Sequence, residues 1–293
     1  VTEAILELQG VSKSFKNKSV LERIDLSIPR GSVVGLLGKN GAGKTTLLKC
    51  ALGLLKTNSG TSRIFGEDSW DLSGETKARI GYVPQKIDLY AWMKVRQMIS
   101  YYAAFYARWN DALTQALLSD WELDAEDRVG KLSEGQVQKL GLILAMGHEP
   151  DLLILDEPAA SLDPQARRTF LAAVIEIAGN HDRTVILSTH LTSDLERVAS
   201  DIVLLKSGVI SYSGSMDELK ESVKSLTLRT ERKLPANLVL PGLLKCETHD
   251  NHAVLTMKGV TTDRIRSLEN DYAATVEVRD LTLEDIFVEV HRV

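Results

Sequence analysis

The chain has 293 residues, 44% of them hydrophobic and 26% charged, enough for one large core and a smaller satellite domain. A net charge of −5 argues against a nucleic-acid binder, which carries a basic excess. No run approaches the roughly 18 apolar residues that cross a bilayer, and the two cysteines, Cys50 and Cys246, cannot build a disulfide framework and fit a reducing cytosol. The opening Val1-Thr2-Glu3 lacks a basic-then-apolar signal pattern, so any work at a membrane is expected from the water side.

In chain order, residues 5–8 read as a short strand, 15–18 as a polar turn and 29–32 as a second turn. The apolar run 33–37 reads as a buried strand, and Leu47, Leu48, Ala51 and Leu52 mark a helix that Gly53 ends. From 93 to about 121 the spacing of Val95, Met98, Ile99, Tyr102, Phe105, Tyr106 and Trp109 is helical and reads as a packing stripe. Strands at 152–155, 184–188 and 202–205 alternate with helices, which implies a mainly parallel sheet covered on both faces. The helical stretch of about 90–145 interrupts that alternation and is expected as a separate lobe.

Gly208 and Gly214 bracket a short strand, and 216–223 reads as the last helix of the main domain. Further strands at 226–228, 253–257 and 274–278, with helices at 262–268 and 283–290, make a small α+β unit. Cys246, His249 and His252 have metal-ligand spacing, but a structural zinc site takes a second pair that is lacking here. They read as incidental polar residues of a turn.

Gly38-Lys39-Asn40-Gly41-Ala42-Gly43-Lys44-Thr45 fits G-x4-G-K-[ST], directly after a buried strand and before a helix that opens with Thr46. Glycines let backbone N–H groups converge on a phosphate, and the helix N-terminus adds partial positive charge. Lys44 is expected to reach the β- and γ-phosphates of ATP and the Thr45 hydroxyl to ligate Mg²⁺. The strand 152–155 runs into Asp156 and Glu157. Carboxylates at the carboxyl end of a buried parallel strand lie where ligands bind. Asp156 suits Mg²⁺, usually through water, and Glu157 suits a general base for the attacking water.

Leu132-Ser133-Glu134-Gly135-Gln136 precedes this pair and resembles the L-S-G-G-Q signature of ABC ATPases. The resemblance covers residues 5–215 and implies roles for further positions. Gln85, in Tyr82-Val83-Pro84-Gln85, matches the glutamine that senses Mg²⁺ and contacts the transport partner. Ser161-Leu162-Asp163 matches the loop after the catalytic glutamate, His190 the switch histidine at the γ-phosphate, and Phe15 the aromatic residue on adenine. Ser133, Gly135 and Gln136 would bind the nucleotide held by a second subunit, so two chains arranged head-to-tail close two ATPs. Two positions depart from the pattern. Glu134 replaces a glycine and is expected to point away from phosphate, and Ala159-Ala160 stand where more polar residues are common.

The expected fold is α/β: a P-loop NTPase core with a mixed, largely parallel sheet, an antiparallel β region at the N-terminus, an inserted helical lobe and a small C-terminal α+β domain. The cassette is placed at 1–222 and the accessory domain at 223–293. The resemblance implies a Mg²⁺-dependent ATPase that pairs with the same or a homologous chain. It would drive a separate membrane permease from the cytoplasmic face, with no direct nucleic-acid contact. The segment Asp280-Leu281-Thr282-Leu283-Glu284-Asp285-Ile286-Phe287-Val288-Glu289 resembles the tail of export-type cassettes. A soluble relative acting on DNA or ribosomes, or a sensing ATPase, is the alternative. Those soluble relatives carry two cassettes or a long coiled-coil insertion, and this chain has one cassette and a compact insertion.

Overall fold

The computed structural model describes residues 4–160, 162–179, 183–231, 233–235 and 238–292. Contacts divide the chain into two compact units, one ending at Ser213 and the other beginning at Gly214.

The first unit opens with a long hairpin, β1 (Ala4–Phe15) and β2 (Lys18–Pro29), closed by the pair Phe15 and Lys18. Lys16 turns the corner at φ 51. Then come β3 (Val33–Leu37), α1 (Lys44–Ala51), β4 (Ser59–Ile64), β5 (Glu67–Asp68), α2 (Gly74–Lys77) and β6 (Ile80–Val83). The helical lobe holds α3 (Val95–Ala103), α4 (Asp111–Asp120) and α5 (Glu134–Met146). The chain returns through β7 (Leu152–Asp156), α6 (Pro164–Gly179), β8 (Thr184–Thr189), α7 (Thr192–Val198), β9 (Asp201–Lys206) and β10 (Val209–Ser215).

An antiparallel sheet has the order β2-β1-β4-β5, and a six-stranded sheet the order β10-β9-β3-β8-β7-β6. In the second, β9, β3, β8, β7 and β6 pair in parallel. Every residue of β7 and β8 is buried, which is why both read as unbroken apolar runs until a polar group ends them. Leu6 and Leu8 of β1, Leu47 and Leu48 of α1, and Ile154, Ile186 and Val203 of the parallel strands share one core. That core clamps α1 and so fixes the loop that precedes it.

The helical stretch of 93–121 is two helices, not one. α3 stops at Ala103, and 104–110 leave the helix because tertiary contacts outbid the local pattern. Asn110 caps α4 by accepting from Leu113 N, and its own N–H donates to the Gly147 carbonyl at 2.7 Å. The Tyr106 ring stacks on His148 at 4.0 Å. Phe105, counted in the packing stripe, is 69% exposed and touches Tyr101 edge-on.

The second unit holds α8 (Met216–Ser222), β11 (Val223–Thr230), β12 (Leu243–His249), β13 (His252–Lys258), α9 (Thr262–Tyr272), β14 (Ala274–Asp280) and α10 (Leu283–Arg292). Its sheet, in the order β12-β13-β11-β14, is antiparallel throughout and buries Leu226, Leu228, Leu255, Met257 and Leu268. α8 groups with this unit, because it runs without a break into β11. β12 is a strand the sequence reading lacks. Cys246 and His249 sit on it rather than in a turn, and His249 pairs across the hairpin with His252, rings 5.1 Å apart.

Gly53 and Gly66 have similar positive φ, +68 and +82, but different surroundings. A Cβ at Gly53 would lie 1.7 Å from the Ser69 carbonyl oxygen, whereas at Gly66 it would meet nothing within 4 Å. Gly53→Ala is therefore expected to destabilise the first unit by about 3 kcal/mol and Gly66→Ala by about 1 kcal/mol. Urea unfolding of the two variants checks the difference, and equal losses would refute the close approach.

Candidate functional site

Four neighbouring strands of the parallel sheet, β3, β8, β7 and β6, end on the same edge, and each end is followed by a predicted functional group. β3 leads to the Gly38 loop, β8 to His190, β7 to Asp156 and Glu157, and β6 to Gln85.

The loop turns on left-handed glycines, Gly41 at φ 81 and Gly43 at φ 109, the latter at the N-cap of α1. Gly38 has no room for a side chain, since a Cβ would lie 2.7 Å from the Leu205 carbonyl oxygen. Ala42 is buried, and its N–H donates to the Lys39 carbonyl at 3.1 Å. Lys44 is only 6% exposed and folds back into its own loop, donating to the Gly38 carbonyl at 2.6 Å and the Lys39 carbonyl at 3.4 Å. Its ammonium also pairs with Glu157 Oε1 at 3.0 Å.

Glu157 Oε2 lies 2.9 Å from His190 Nδ1, so both carboxylate oxygens are engaged. The Glu157 backbone is left-handed at φ 49, a conformation that costs a non-glycine residue roughly 1–3 kcal/mol and clusters at functional sites. Asp156 is fully buried: Oδ1 accepts from the Ser188 hydroxyl at 2.7 Å, and Oδ2 has no hydrogen-bond partner. Tyr82, on β6, has its phenol pushed up to about 12, by burial first and by the Asp156 carboxylate second.

A cleft of about 360 Å³, in the range of small-molecule sites, is lined by Asn40, Gly41, Gly43, Lys44, Thr45, Thr46, Gln85 and Glu157. Val20 of β2 completes the lining, unforeseen from the sequence; it packs where a Cβ at Gly43 would lie 3.1 Å from the Val20 carbonyl oxygen. Asp156 itself is outside that lining, but its buried carboxylate oxygen without a donor, next in sequence to Glu157 of the lining, and the Thr45 and Gln85 side-chain oxygens of the lining are the kind of oxygen donors that Mg²⁺ takes.

The other predicted residues lie outside this lining. Phe15 ends β1 with its ring 47% exposed and the Lys13 ammonium 5.2 Å from the ring centre. Ser133 caps α5, accepting from Gln136 N at 3.3 Å, while Gln136 Oε1 accepts from Ser133 N at 2.9 Å. Gly135 faces the loop after Glu157, where a Cβ would lie 3.1 Å from Leu162. Glu134 is exposed in the first turn, where a carboxylate complements the helix dipole. Asp163 Oδ1 accepts the Ala166 and Gln165 N–H groups, which hold its carboxyl below the usual range. Ser161 lies outside the described residues.

The sequence reading passed over Ser188. Its hydroxyl meets both Asp156 and the Glu157 N–H, at 2.7 and 3.0 Å. The only sequence signal was a serine ending an apolar strand, which means nothing until the register sets it opposite Asp156.

Residues 21–160 match the sequence profile of the family described as ABC transporter. The chain is 29% identical over 299 residues to "Uncharacterized ABC transporter ATP-binding protein YxlF" of Bacillus subtilis, covering 98% of this chain and 99% of that one. It is 33% identical to "Nod factor export ATP-binding protein I" of Burkholderia lata, over 75% of this chain and 73% of that one. A solved "ATP binding subunit of ABC transporter" superposes with a TM-score of 0.67 at 28% identity, over 74% of this chain and 92% of that one. A phosphate loop, an acidic pair and a histidine converging on one sheet edge, together with likeness along nearly the whole chain, have one reading: the chain belongs to the ABC transporter family, as an ATP-binding subunit.

Proposed function

We propose that this chain hydrolyses ATP with Mg²⁺ at a site that a second ABC subunit completes, and that the cycle powers export through a separate permease. The observation that carries the reading is Glu157, held between Lys44 and His190 at the mouth of the phosphate loop. Gly38, Lys39, Asn40, Gly41, Ala42, Gly43, Lys44, Thr45 and Thr46 would cradle the phosphates of ATP with their N–H groups and the Lys44 charge, and Phe15 would stack on adenine. Reaching the phosphates takes Lys44 off the Gly38 and Lys39 carbonyls and frees Glu157 Oε1.

Asp156, Thr45 and Gln85 would hold Mg²⁺, which when bound neutralises charge on the β- and γ-phosphate oxygens. Glu157 takes the proton of the attacking water, and His190 orients the Glu157 carboxylate and turns to the γ-phosphate. Ser133, Gly135 and Gln136 cap a helix whose free N–H groups suit an anion, and they stand outside the lining of their own chain's cleft. A partner, identical or homologous, would place these residues and Asp163 against this chain's ATP. Among the described residues no helix is long and apolar enough to cross a membrane. The proposed permease is another chain, with this one bound peripherally to the inner face of the membrane. Export follows the Nod factor export relative and the sequence tail.

Glu157→Gln is expected to slow hydrolysis roughly 10²–10⁴-fold, the worth of a general base, while ATP still binds and holds a dimer. A phosphate-release assay at wild-type rate would remove Glu157 from the mechanism. In that background, Ser133→Arg is expected to leave nucleotide binding intact and abolish ATP-induced dimerisation. Gel filtration with ATP decides it, and an undisturbed dimer would exclude the head-to-tail arrangement.

A further inference from the structure

We infer that Ser188 is a positioning residue for hydrolysis, whose hydroxyl locks the Asp156 carboxylate and the Glu157 backbone into one orientation. The inference rests on the proposed roles of Asp156 and Glu157. β7 and β8 run parallel with Asp156 opposite Ser188, so a serine at this register, one residue from the end of β8, reaches the acidic pair across one strand spacing. Ser188 is fully buried, and its hydroxyl has one hydrogen and two lone pairs to place. The hydrogen goes to Asp156 Oδ1 at 2.7 Å, a short charge-assisted bond. A lone pair accepts the Glu157 N–H at 3.0 Å, which the Ser188 carbonyl shares at 3.1 Å.

Each bond has a separate consequence. Among the described residues the Asp156 carboxylate has one side-chain hydrogen bond, the one to Oδ1, and Oδ2 is the oxygen without a partner. The terminal torsion of aspartate is broad and two-fold, so this anchor selects which oxygen is bonded and which is left open to a cation. The bond to the Glu157 N–H helps to hold the left-handed turn at φ 49, which aims the side chain at Lys44 and His190 rather than along the strand. Lys44 and the glycines of the phosphate loop make no hydrogen bond with the Ser188 side chain. Loss of the hydroxyl should therefore spare nucleotide binding and damage metal placement and turnover.

The test compares wild type, Ser188→Ala and Ser188→Thr, the last keeping a hydroxyl. Manganese, titrated by electron paramagnetic resonance in the presence of a non-hydrolysable ATP analogue, reports the metal site without turnover. Ser188→Ala is expected to weaken Mn²⁺ binding and kcat by about 10–100-fold, the usual cost of losing a partner that orients a metal ligand. ATP affinity measured in EDTA should stay within about threefold, and Ser188→Thr should recover most of the Mn²⁺ affinity. Wild-type Mn²⁺ affinity in Ser188→Ala would overturn the inference. So would an equal loss of ATP affinity in EDTA with a lowered unfolding midpoint, which would mark a purely structural serine. Should Glu157→Gln hydrolyse normally, the base assignment falls, while the Mn²⁺ titration still reads the orientation of Asp156.

Discussion

The parallel ladder of β3, β8, β7 and β6 is the constraint on which the rest depends. A strand buried on both faces carries no charge along its length, so its polar chemistry collects where it ends. In a parallel sheet those ends share one edge, and neighbouring strands stand about 4.8 Å apart. Groups far apart in sequence then meet at hydrogen-bond distance with little help from their own side chains. Asp156 and Ser188 touch because they are register partners, and Glu157 and His190, one and two residues farther along their strands' paths, meet just beyond. Lys44 arrives by another route, from a loop held against the core by the buried face of α1.

Electrostatics explains why these groups bond to one another as they do. Lys44 and Glu157 are each about 6% exposed, and a buried charge is tolerable only when paired and hydrogen-bonded. Lys44 has three donors, and the Gly38 carbonyl, the Lys39 carbonyl and Glu157 take them. In the proposed site phosphate oxygens would compete for those same donors, so occupation of the loop and release of one Glu157 oxygen would be the same exchange. Asp156 differs: its Oδ2 is buried without a donor, a cost that a cation or its bound water would remove.

Legibility in the sequence followed the range of the interactions involved. The runs that became β3, β7 and β8 were plain because burial on both faces leaves a contiguous apolar signal, and the phosphate loop was plain because its backbone demands glycine at fixed places. β1 extends to Phe15, far past residues 5–8, because its pairing with β2 and β4 tolerates register shifts that break simple alternation. The gap between α3 and α4 depends on Gly147 and His148, distant residues that draw Asn110 and Tyr106 out of a helix whose spacing alone would continue. β12 exposes part of nearly every residue, so it lacks the apolar contrast that marks a strand. Ser188 was hidden for a related reason: its meaning lies in the register between two strands, which no local pattern carries.

Glu134 tests whether the signature helix can serve as the second jaw of the proposed site. Its carboxylate sits in the first turn of α5, where it complements the helix dipole by about 0.3–1 kcal/mol. The same charge would repel a phosphate approaching the Ser133 end. Two features reduce that conflict. Glu134 is exposed, so its field is screened within roughly 8–10 Å at ordinary salt. The cap is also built without it, since Ser133 and Gln136 satisfy each other's backbone N–H groups reciprocally. Those bonds hold the end of α5 open whatever Glu134 does, and the first-turn N–H groups that the cap leaves over are the ones a phosphate would need.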